Sequence, residues 1–433
     1  MSWNFHRYYT HTSDGLISKL KLSIEQTETL KALRKRIRNR TKAVFEEAKS
    51  LVSEASNTSV LNESMKAKVE RTRLAHLSPE AQDELILLIS NMSAQAREAF
   101  LALTPRFWTQ GSFQYDTLNL PYNTPPQEMD IDDGTYLPMA VFDDEPVIGH
   151  RLLILLVDSS LRSLVAENES WQFETKSTCA RIRIPDENTH IDVPMYAIPE
   201  EQFLQKEAAI SESYRMVACD SASFTDIWKN NRDAYELDSD SVNLALREGE
   251  EKWRKSDPKT VEDWFLDSCR RSGFHLKKIC RYLKAWRDAQ WGDRGPSSIS
   301  LMAAAVGILD QTPHDKADLG ATMLMVARKL PDAFSAGVAS PDPSDTKPLF
   351  PPAHEHGEWE IGVIEKLRAF SRFLDEAENA TSKQLALTAL NKAYGERVIK
   401  SELIDTKASG PAFTSPPAQA LQPKTISKTM SSG

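Results

Sequence analysis

The sequence predicts an α+β protein in which a small mixed sheet with long N-terminal helices is followed by an all-helical C-terminal domain. Three observations carry this prediction. Apolar residues recur at helical spacing over much of the first hundred residues and again from about residue 240 onward. Partly alternating apolar runs, which are typical of strands, occur between these two regions. The chain has 433 residues, more than one core usually supports, so we expect two domains.

Residues 23–52 are predicted to form a long amphipathic helix that begins after Ser23 as its cap. Its apolar stripe consists of Leu30, Leu33, Ile37, Val44 and Phe45. The opposite face is basic and carries Arg34, Lys35, Arg36, Arg38, Arg40 and Lys42. We interpret this face as solvated, and an anion-binding face is the alternative. A further helix is predicted over residues 78–101, opened by Ser78-Pro79-Glu80.

The middle of the chain is predicted to supply the sheet. The run "MDIDDGTYLPMAVF", residues 129–142, alternates in part and indicates a strand, and a helix with a wide apolar face follows over residues 148–168. Two further β-like runs, residues 171–184 and 189–198, are separated by the turn signal "PDEN" and form a predicted hairpin. We place the end of this first domain at about residue 225.

The second domain, residues 226–405, is predicted to be helical. Its helices are expected at residues 260–291, 297–311, 315–331, 358–376 and 382–404. A loop rich in Pro and Asp is expected at residues 340–352. Residues 406–433 contain four prolines and little to bury, so we expect this tail to be disordered.

Composition favours a soluble cytoplasmic protein. Hydrophobic residues make up 40% of the chain and no apolar run reaches 18 residues, which argues against a membrane protein. A net charge of −9 argues against a general nucleic-acid coat. The cysteines, Cys179, Cys219, Cys269 and Cys280, follow no metal-ligand spacing. Cys269 and Cys280 fall about 16 Å apart on one predicted helix, so we expect reduced thiols.

An acidic cluster lies in the predicted strand at residues 129–142. Asp130 and Asp132 point to the same face of such a strand, whereas Asp133 points to the other. Two converging carboxylates can bind Mg²⁺, and Asp192, bracketed by Ile191 and Val193 in another strand, is a candidate third ligand. The spacing does not fit an EF-hand loop, and a plain acidic turn remains the alternative.

The turn Gln110-Gly111-Ser112 precedes this strand and could present backbone N–H groups and a hydroxyl to a triphosphate. Joined to Asp130-x-Asp132 and a lone Asp192 in a later strand, it is the arrangement of the polymerase-β-like nucleotidyltransferases. The segments "LTPRFWTQGSFQYDTLN", "QEMDIDDGTYLPM", "HIDVPMYAIP", "SDPKTVEDWF" and "KAWRDAQW" further resemble the bacterial cyclic GMP-AMP synthases of the cGAS/DncV-like nucleotidyltransferase (CD-NTase) family, nearly end to end.

The resemblance implies roles for particular residues. Asp130, Asp132 and Asp192 would be the catalytic, metal-binding triad for two Mg²⁺ ions, with Mn²⁺ as the alternative. Gln110, Gly111 and Ser112 would contact the triphosphate. Further base, sugar or phosphate contacts would come from Tyr115, Arg181, Ser256, Asp257, Lys284, Ser298 and Asp345. A solvated surface position is the alternative for Lys284. The C-terminal helical domain would close the active-site cleft.

The implied activity is the joining of ATP and GTP into 3′,3′-cyclic GMP-AMP, a second messenger of anti-phage (CBASS) defence that activates an effector protein. The resemblance also implies that an E1/E2-type enzyme conjugates the tail through Gly433. We expect no stable nucleic-acid partner and no membrane association. The alternatives are a nucleotidyltransferase that makes another cyclic or linear oligonucleotide, and an inert nucleotide sensor or conjugation scaffold. Keeping Ser112 and the three aspartates together argues against an inert protein.

One departure from the wider superfamily concerns the connection between the turn and the acidic strand. Seventeen residues separate Ser112 from Asp130, a longer interval than usual. We interpret the inserted "LNLPYNTPPQ", residues 118–127, as a Pro-rich loop that lengthens the connection without moving its ends much. His354 and His356 are interpreted as an exposed loop pair and not as metal ligands.

Overall fold

The computed structural model describes residues 3–55, 62–138, 141–142, 145–146, 149–201, 203–204 and 242–407. None of the helices in these ranges has the length and apolar character that a membrane crossing requires.

A seven-stranded mixed sheet lies at the centre of the first half. The strands of the described residues are β1 (Trp3–Asn4), β2 (Arg106–Gln110), β3 (Met129–Pro138), β4 (Val141–Phe142), β5 (Glu145–Pro146), β6 (Gln172–Thr175), β7 (Cys179–Ile184), β8 (Thr189–Ile198), β9 (Asn243–Ala245), β10 (Trp253–Lys255) and β11 (Asp405–Thr406). The sheet order is β10-β9-β8-β3-β2, with β7 also beside β8 and β6 beside β7. Strands β3 and β8 run parallel, and the other described pairs are antiparallel.

The predicted hairpin is confirmed and extended. Strands β7 and β8 are antiparallel and are joined by a 3₁₀ turn, Pro185–Glu187. The turn ends at Asn188, whose φ of 47° lies in the left-handed region that Asn tolerates better than most residues. The run at 171–184 is itself two strands, because β6 and β7 pair with each other.

The helices largely follow the predicted positions. They are α1 (His6–Thr10), α2 (Leu16–Leu20), α3 (Ile24–Ala55), α4 (Asn62–Val69), α5 (Pro79–Ser90), α6 (Ala94–Ala102), α7 (Gly111–Gln114), α8 (His150–Ala166), α9 (Pro258–Ser272), α10 (His275–Gln290), α11 (Ser298–Gln311), α12 (Leu319–Ser335), α13 (Glu358–Glu378) and α14 (Lys383–Tyr394).

Three predicted helices have different bounds. The helix expected at 78–101 is two helices, because the Ser93 hydroxyl accepts a hydrogen bond from the Ala96 amide and starts α6. The helix expected at 260–291 breaks at Gly273, whose φ is 115°. The helix expected at 382–404 ends at Tyr394, before Gly395 with φ 72°. Local caps and glycines therefore set these ends.

The break at Gly273 places Cys269 and Cys280 on different helices and corrects the expectation that they share one. Both are buried free thiols, as is Cys179, while Cys219 lies outside the described residues. Burial raises the pKa of Cys269 to about 11, so this thiol stays protonated near neutral pH.

Two large hydrophobic cores divide the molecule. One joins the central sheet to α3, α5, α6 and α8, and the other is formed by the C-terminal helices. Residues 3–20 were expected in the first domain but pack into the second core, where Tyr9 lies 4.8 Å from the Tyr282 ring and hydrogen-bonds Tyr394 at 3.0 Å. Conversely, β9 and β10, which lie beyond the expected boundary at residue 225, belong to the central sheet.

The expected start of the disordered tail at residue 406 is also corrected. Thr406 lies in β11, which pairs with β1 through Trp3 and Asn4. Lys407 is described as well, and its amine lies 3.1 Å from the Glu378 carboxylate. The rest of the expected tail, residues 408–433, lies outside the described residues.

The basic face of α3, which was interpreted as solvated, is partly docked. The Arg38 guanidinium pairs with Asp133, which is only 1% exposed on β3, and donates to Thr109 at 2.9 Å. Arg40 donates to Ser163 at 2.8 Å on α8. Arg34, Lys35 and Lys42 line a cavity of about 600 Å³ with Phe107 and Trp108, which suits the anion-binding alternative. Arg36 instead donates to Asn168 at 3.1 Å.

Candidate active site

Strand pairing brings the predicted carboxylates together. In the parallel ladder of β3 and β8, Asp132 is the register partner of Asp192, and Asp130 is the partner of His190. Since alternate residues of a strand share a face, these four side chains lie on one side of the sheet. Asp133 lies on the other side, paired with Arg38, as the alternation predicted.

The carboxylates repel one another and are only partly neutralised. Burial, followed by the charges of Asp130 and Asp192, raises the pKa of Asp132 to about 8. Asp192 accepts two hydrogen bonds from the Arg181 guanidinium, at 2.6 and 2.8 Å. Nε2 of His190 lies 3.0 Å from the Asp130 carboxylate. Burial by itself raises the pKa of Asp130, but the hydrogen bond and charge of His190, together with the charges of Arg181 and Lys284, outweigh it and lower that pKa.

This group fits a hard divalent cation. Within the described residues, one ligand atom from each of Asp130, His190 and Asp192 lies within 4.8 Å of the others. Asp132 is adjacent, and burial together with the charges of Asp130 and Asp192 disfavours its ionised form, which a dication would stabilise. Carboxylate oxygens are ligands that Mg²⁺ and Mn²⁺ prefer.

The turn ahead of the acidic strand requires glycine. Strand β2 ends at Gln110, and Gly111 opens α7 with a φ of 66°. A Cβ atom at Gly111 would lie 2.2 Å from Oδ2 of Asp132. Glycine therefore allows both the backbone angle and the close approach of the turn to Asp132. Ser112 follows directly and lines the same cavity as Asp130 and Asp132.

The side chain of Gln110 has a structural role that differs from the predicted triphosphate contact. It is buried, donates to the Tyr136 hydroxyl at 3.0 Å and accepts from the Tyr196 hydroxyl at 3.2 Å. These two bonds hold the end of β2 against β3 and β8. The Gln110 side-chain amide thus positions the turn, and Gln110 also lines the cavity above the carboxylates.

A cavity of about 740 Å³ lies over the carboxylates and is bounded on the far side by the helical half. This volume is in the range of small-molecule sites. The predicted residues that line it are Gln110, Gly111, Ser112, Tyr115, Asp130, Asp132, Ser256, Lys284, Ser298 and Asp345. The structure thus gathers residues that lie up to 235 positions apart, from Gln110 to Asp345.

Lys284 lies on the helical wall and is buried, so the interpretation as a solvated surface lysine is wrong. Its amine donates to the Thr117 carbonyl at 2.8 Å. Burial and the nearby charge of Arg287 lower the pKa of Lys284 to about 8. On the same wall, Ser298 accepts a hydrogen bond from Arg287 at 2.8 Å.

Two predicted nucleotide contacts, Arg181 and Asp257, and the third predicted metal ligand, Asp192, do not line the cavity. Arg181 is instead engaged with Asp192, which it holds from the β7 side. Asp257 is buried and caps α9 by accepting from the Lys259 amide at 3.0 Å. Arg181 therefore positions Asp192, and Asp257 stabilises the start of α9.

Sequence reasoning missed His190. This residue bridges Glu128, 3.0 Å from Nδ1, and Asp130, 3.0 Å from Nε2. The signal was available, because His190 and Asp192 are two residues apart and therefore share a face of β8. Its pairing with Asp130 depends on the register between two strands sixty residues apart, which the sequence does not display.

Comparison with known proteins agrees with this geometry. Residues 105–196 match the family model described as "Cyclic GMP-AMP synthase DncV-like, nucleotidyltransferase domain", and residues 273–407 match "Cyclic GMP-AMP synthase, C-terminal domain". The chain is 55% identical to a cyclic GMP-AMP synthase of Vibrio cholerae serotype O1 and 52% identical to one of Escherichia coli, in both cases over 100% of each chain.

Solved structures of the Vibrio cholerae dinucleotide cyclase DncV are also similar. One, in complex with GTP and 5MTHFGLU2, is 56% identical, has a TM-score of 0.86 and covers 93% of this chain and 99% of its own. Another, in complex with the linear intermediate 5′-pppA(3′,5′)pG, is 55% identical, has a TM-score of 0.84 and covers 93% and 98%.

We expect Gly111→Ala to damage the site without unfolding the protein. Its Cβ would displace the Asp132 carboxylate, and a non-glycine residue at positive φ costs about 1–2 kcal/mol. Mn²⁺ affinity, measured by electron paramagnetic resonance titration, should fall about tenfold or more. Gly307→Ala is the matched control, because nothing lies within 4 Å of its Cβ position in α11. Equal Mn²⁺ affinities of the two variants would contradict this assignment.

Proposed function

The chain belongs to the DncV-like cyclic GMP-AMP synthase family of nucleotidyltransferases, and we propose that it joins ATP and GTP into 3′,3′-cyclic GMP-AMP. The observation that carries the proposal is the convergence of Asp130 and Asp132 at the cavity that Ser112 also lines, with Asp192 beside Asp132 on β8. The linear intermediate held by the Vibrio cholerae relative supports a reaction in two steps.

The three aspartates would hold Mg²⁺, with His190 beside them. When bound, two such ions lower the pKa of an attacking hydroxyl and neutralise the charge of departing pyrophosphate. Burial and the charges of Asp130 and Asp192 raise the pKa of Asp132. A bound dication would offset the repulsion among the carboxylates, and this supports the assignment.

The chain's own residues have separate tasks in this proposal. The Gly111–Ser112 turn offers backbone N–H groups and a hydroxyl to the triphosphate of one nucleotide. Lys284 adds a positive charge from the opposite wall. Arg181 fixes the orientation of Asp192, which accepts the proton of the attacking 3′-hydroxyl.

Each step forms one phosphodiester bond. The 3′-oxygen of one nucleotide attacks the α-phosphorus of the other, the bond between the α- and β-phosphates breaks, and pyrophosphate leaves. The linear product then turns within the cavity, so that its second 3′-hydroxyl reaches its own triphosphate over the same carboxylates. The product would act as a second messenger in anti-phage (CBASS) signalling and activate an effector protein.

We expect one incubation with labelled ATP, GTP and Mg²⁺ to test the activity. A phosphatase-resistant product that requires both nucleotides, separated by chromatography, is the expected result. A product from one nucleotide alone, or a linear one, would favour the alternative nucleotidyltransferase, and no product would favour the inert scaffold. Asp130→Asn and Asp132→Asn should lower turnover more than about a hundredfold. Asp133→Asn, on the other face of β3, should keep turnover.

We expect ATP affinity to depend on Lys284 and on pH. The lysine is charged below its pKa of about 8, and a bound triphosphate would stabilise that charge. Affinity should therefore hold steady up to about pH 8 and fall above it. Lys284→Met should weaken ATP binding about tenfold at pH 7 and remove the fall, as measured by calorimetry. Lys278→Met, at an exposed position of α10, is the control. The same pH profile in Lys284→Met would refute the contact.

Gly433, at the end of the tail, lies outside the described residues, and we keep the proposal that an E1/E2-type enzyme conjugates it to targets. Deleting residues 431–433 should leave cyclic dinucleotide synthesis by the purified protein intact and abolish conjugates formed in the presence of that enzyme. Conjugates formed by the truncated chain would sink the proposal.

A further inference from the structure

The Pro-rich connection between the Gly111–Ser112 turn and β3 is bound to the helical half along its length. We call residues 116–127 the strap. The predicted loop was expected only to lengthen the connection. Instead, its backbone and side chains contact α10, the helix that carries Lys284, and the segment after α14. The strap thus runs from the side of the cavity that carries the carboxylates to the helical wall opposite, and then back to β3.

The start of the strap is held by Arg281, which is buried on α10. The Arg281 guanidinium donates to the carbonyl of Asp116 at 3.1 Å and to its carboxylate at 2.8 Å, and also to the carbonyl of Leu118. In return, the Asn119 amide donates to the Arg281 carbonyl at 2.8 Å. The side chain and backbone of this one helical residue therefore hydrogen-bond three strap residues, Asp116, Leu118 and Asn119.

The end of the strap is held by Gln127, three residues before Asp130. Its Nε2 donates to the carbonyls of Asp288 and Trp291, at 2.7 and 2.8 Å, where α10 ends. Its Oε1 accepts from the amides of Tyr122 and Asn123, at 2.9 and 3.0 Å. The amide uses both donor hydrogens and both acceptor lone pairs: its two donated bonds join the strap to the end of α10, and its two accepted bonds close the strap on itself.

Tyr122 forms a third tie in the middle of the strap. Its hydroxyl accepts from the Glu396 amide at 3.2 Å, and the Arg397 guanidinium lies 4.9 Å from its ring centroid. Gly395 has a φ of 72°, and a Cβ there would lie 2.3 Å from the Tyr122 ring. The segment after α14 therefore packs closely against the Tyr122 ring, because Gly395 has no Cβ.

We propose that the strap fixes the width of the cleft and keeps the linear dinucleotide enclosed between the two phosphoryl transfers, with Gln127 as a positioning residue. This inference rests on the proposed synthesis of a cyclic dinucleotide. Asp130 and Ser112 lie on the strap's two flanks, and Lys284 and Ser298 lie on the wall that it grips. Loosening the strap lets the walls separate, and an intermediate that must turn before its second reaction then escapes.

The test is the ratio of linear to cyclic product at early times, measured by liquid chromatography and mass spectrometry. Gln127→Met keeps the side-chain length but removes all four hydrogen bonds. The ratio should rise about five- to thirtyfold, the factor that one to two net hydrogen bonds correspond to. Gln290→Met is the matched control: Gln290 ends the same helix and also donates to two carbonyls, at Lys392 and Ala393, without touching the strap. Its ratio should stay at the wild-type value.

A strap that only stabilises the fold would lower the melting temperature of Gln127→Met and leave the ratio unchanged, and that outcome overturns the inference. If Gln127→Met fails to fold, Tyr122→Phe removes one hydrogen bond and should raise the ratio to a smaller extent. An unchanged ratio in a folded Tyr122→Phe protein overturns the inference as well. Absence of any dinucleotide from the wild type would instead contradict the proposed function.

Discussion

Mutual repulsion among three carboxylates is the constraint around which the rest of the site is organised. Parallel pairing of β3 and β8 forces Asp132 beside Asp192, and a fold gains nothing from that proximity by itself. Arg181 and His190 offset part of the charge from neighbouring strand positions. Lys284 on the helical wall and a bound dication would offset the remainder. Pairing within the sheet holds the groups close together before a substrate arrives.

Much of the fold was predictable because its signals are local. Each of three such signals spans no more than about thirty residues: the apolar stripe of α3, the alternation in β3, and the turn between β7 and β8. The candidate carboxylates were predictable for the same reason, since alternation separates Asp130 and Asp132 from Asp133. Helix ends at Gly273 and Ser93 were harder, because a short break inside a continuous apolar pattern changes the periodicity little.

What the sequence did not disclose are contacts between distant segments. The aromatic residues of residues 3–20 predict burial but not the core that receives them, and they pack on the C-terminal helices. The helical pattern predicts that Arg38 faces solvent, whereas in the structure it pairs with the buried carboxylate of Asp133 on β3. Gln110 sits beside the phosphate turn in sequence, yet two tyrosines from separate strands occupy its amide. In each case the register of the sheet or the packing of a core determines which residues these side chains contact.

The short ladder of β1 and β11 has a practical consequence. Trp3 lies opposite Thr406 and Asn4 lies opposite Asp405, so the two ends of the described chain are neighbours. A fusion partner placed before Trp3 would therefore stand next to the point where the C-terminal segment departs, and could obstruct whatever approaches that segment. Joining the two ends with a short linker and opening the chain at an exposed loop would give a circular permutant. Its stability would show how much the β1–β11 ladder contributes to folding when its two strands are joined directly.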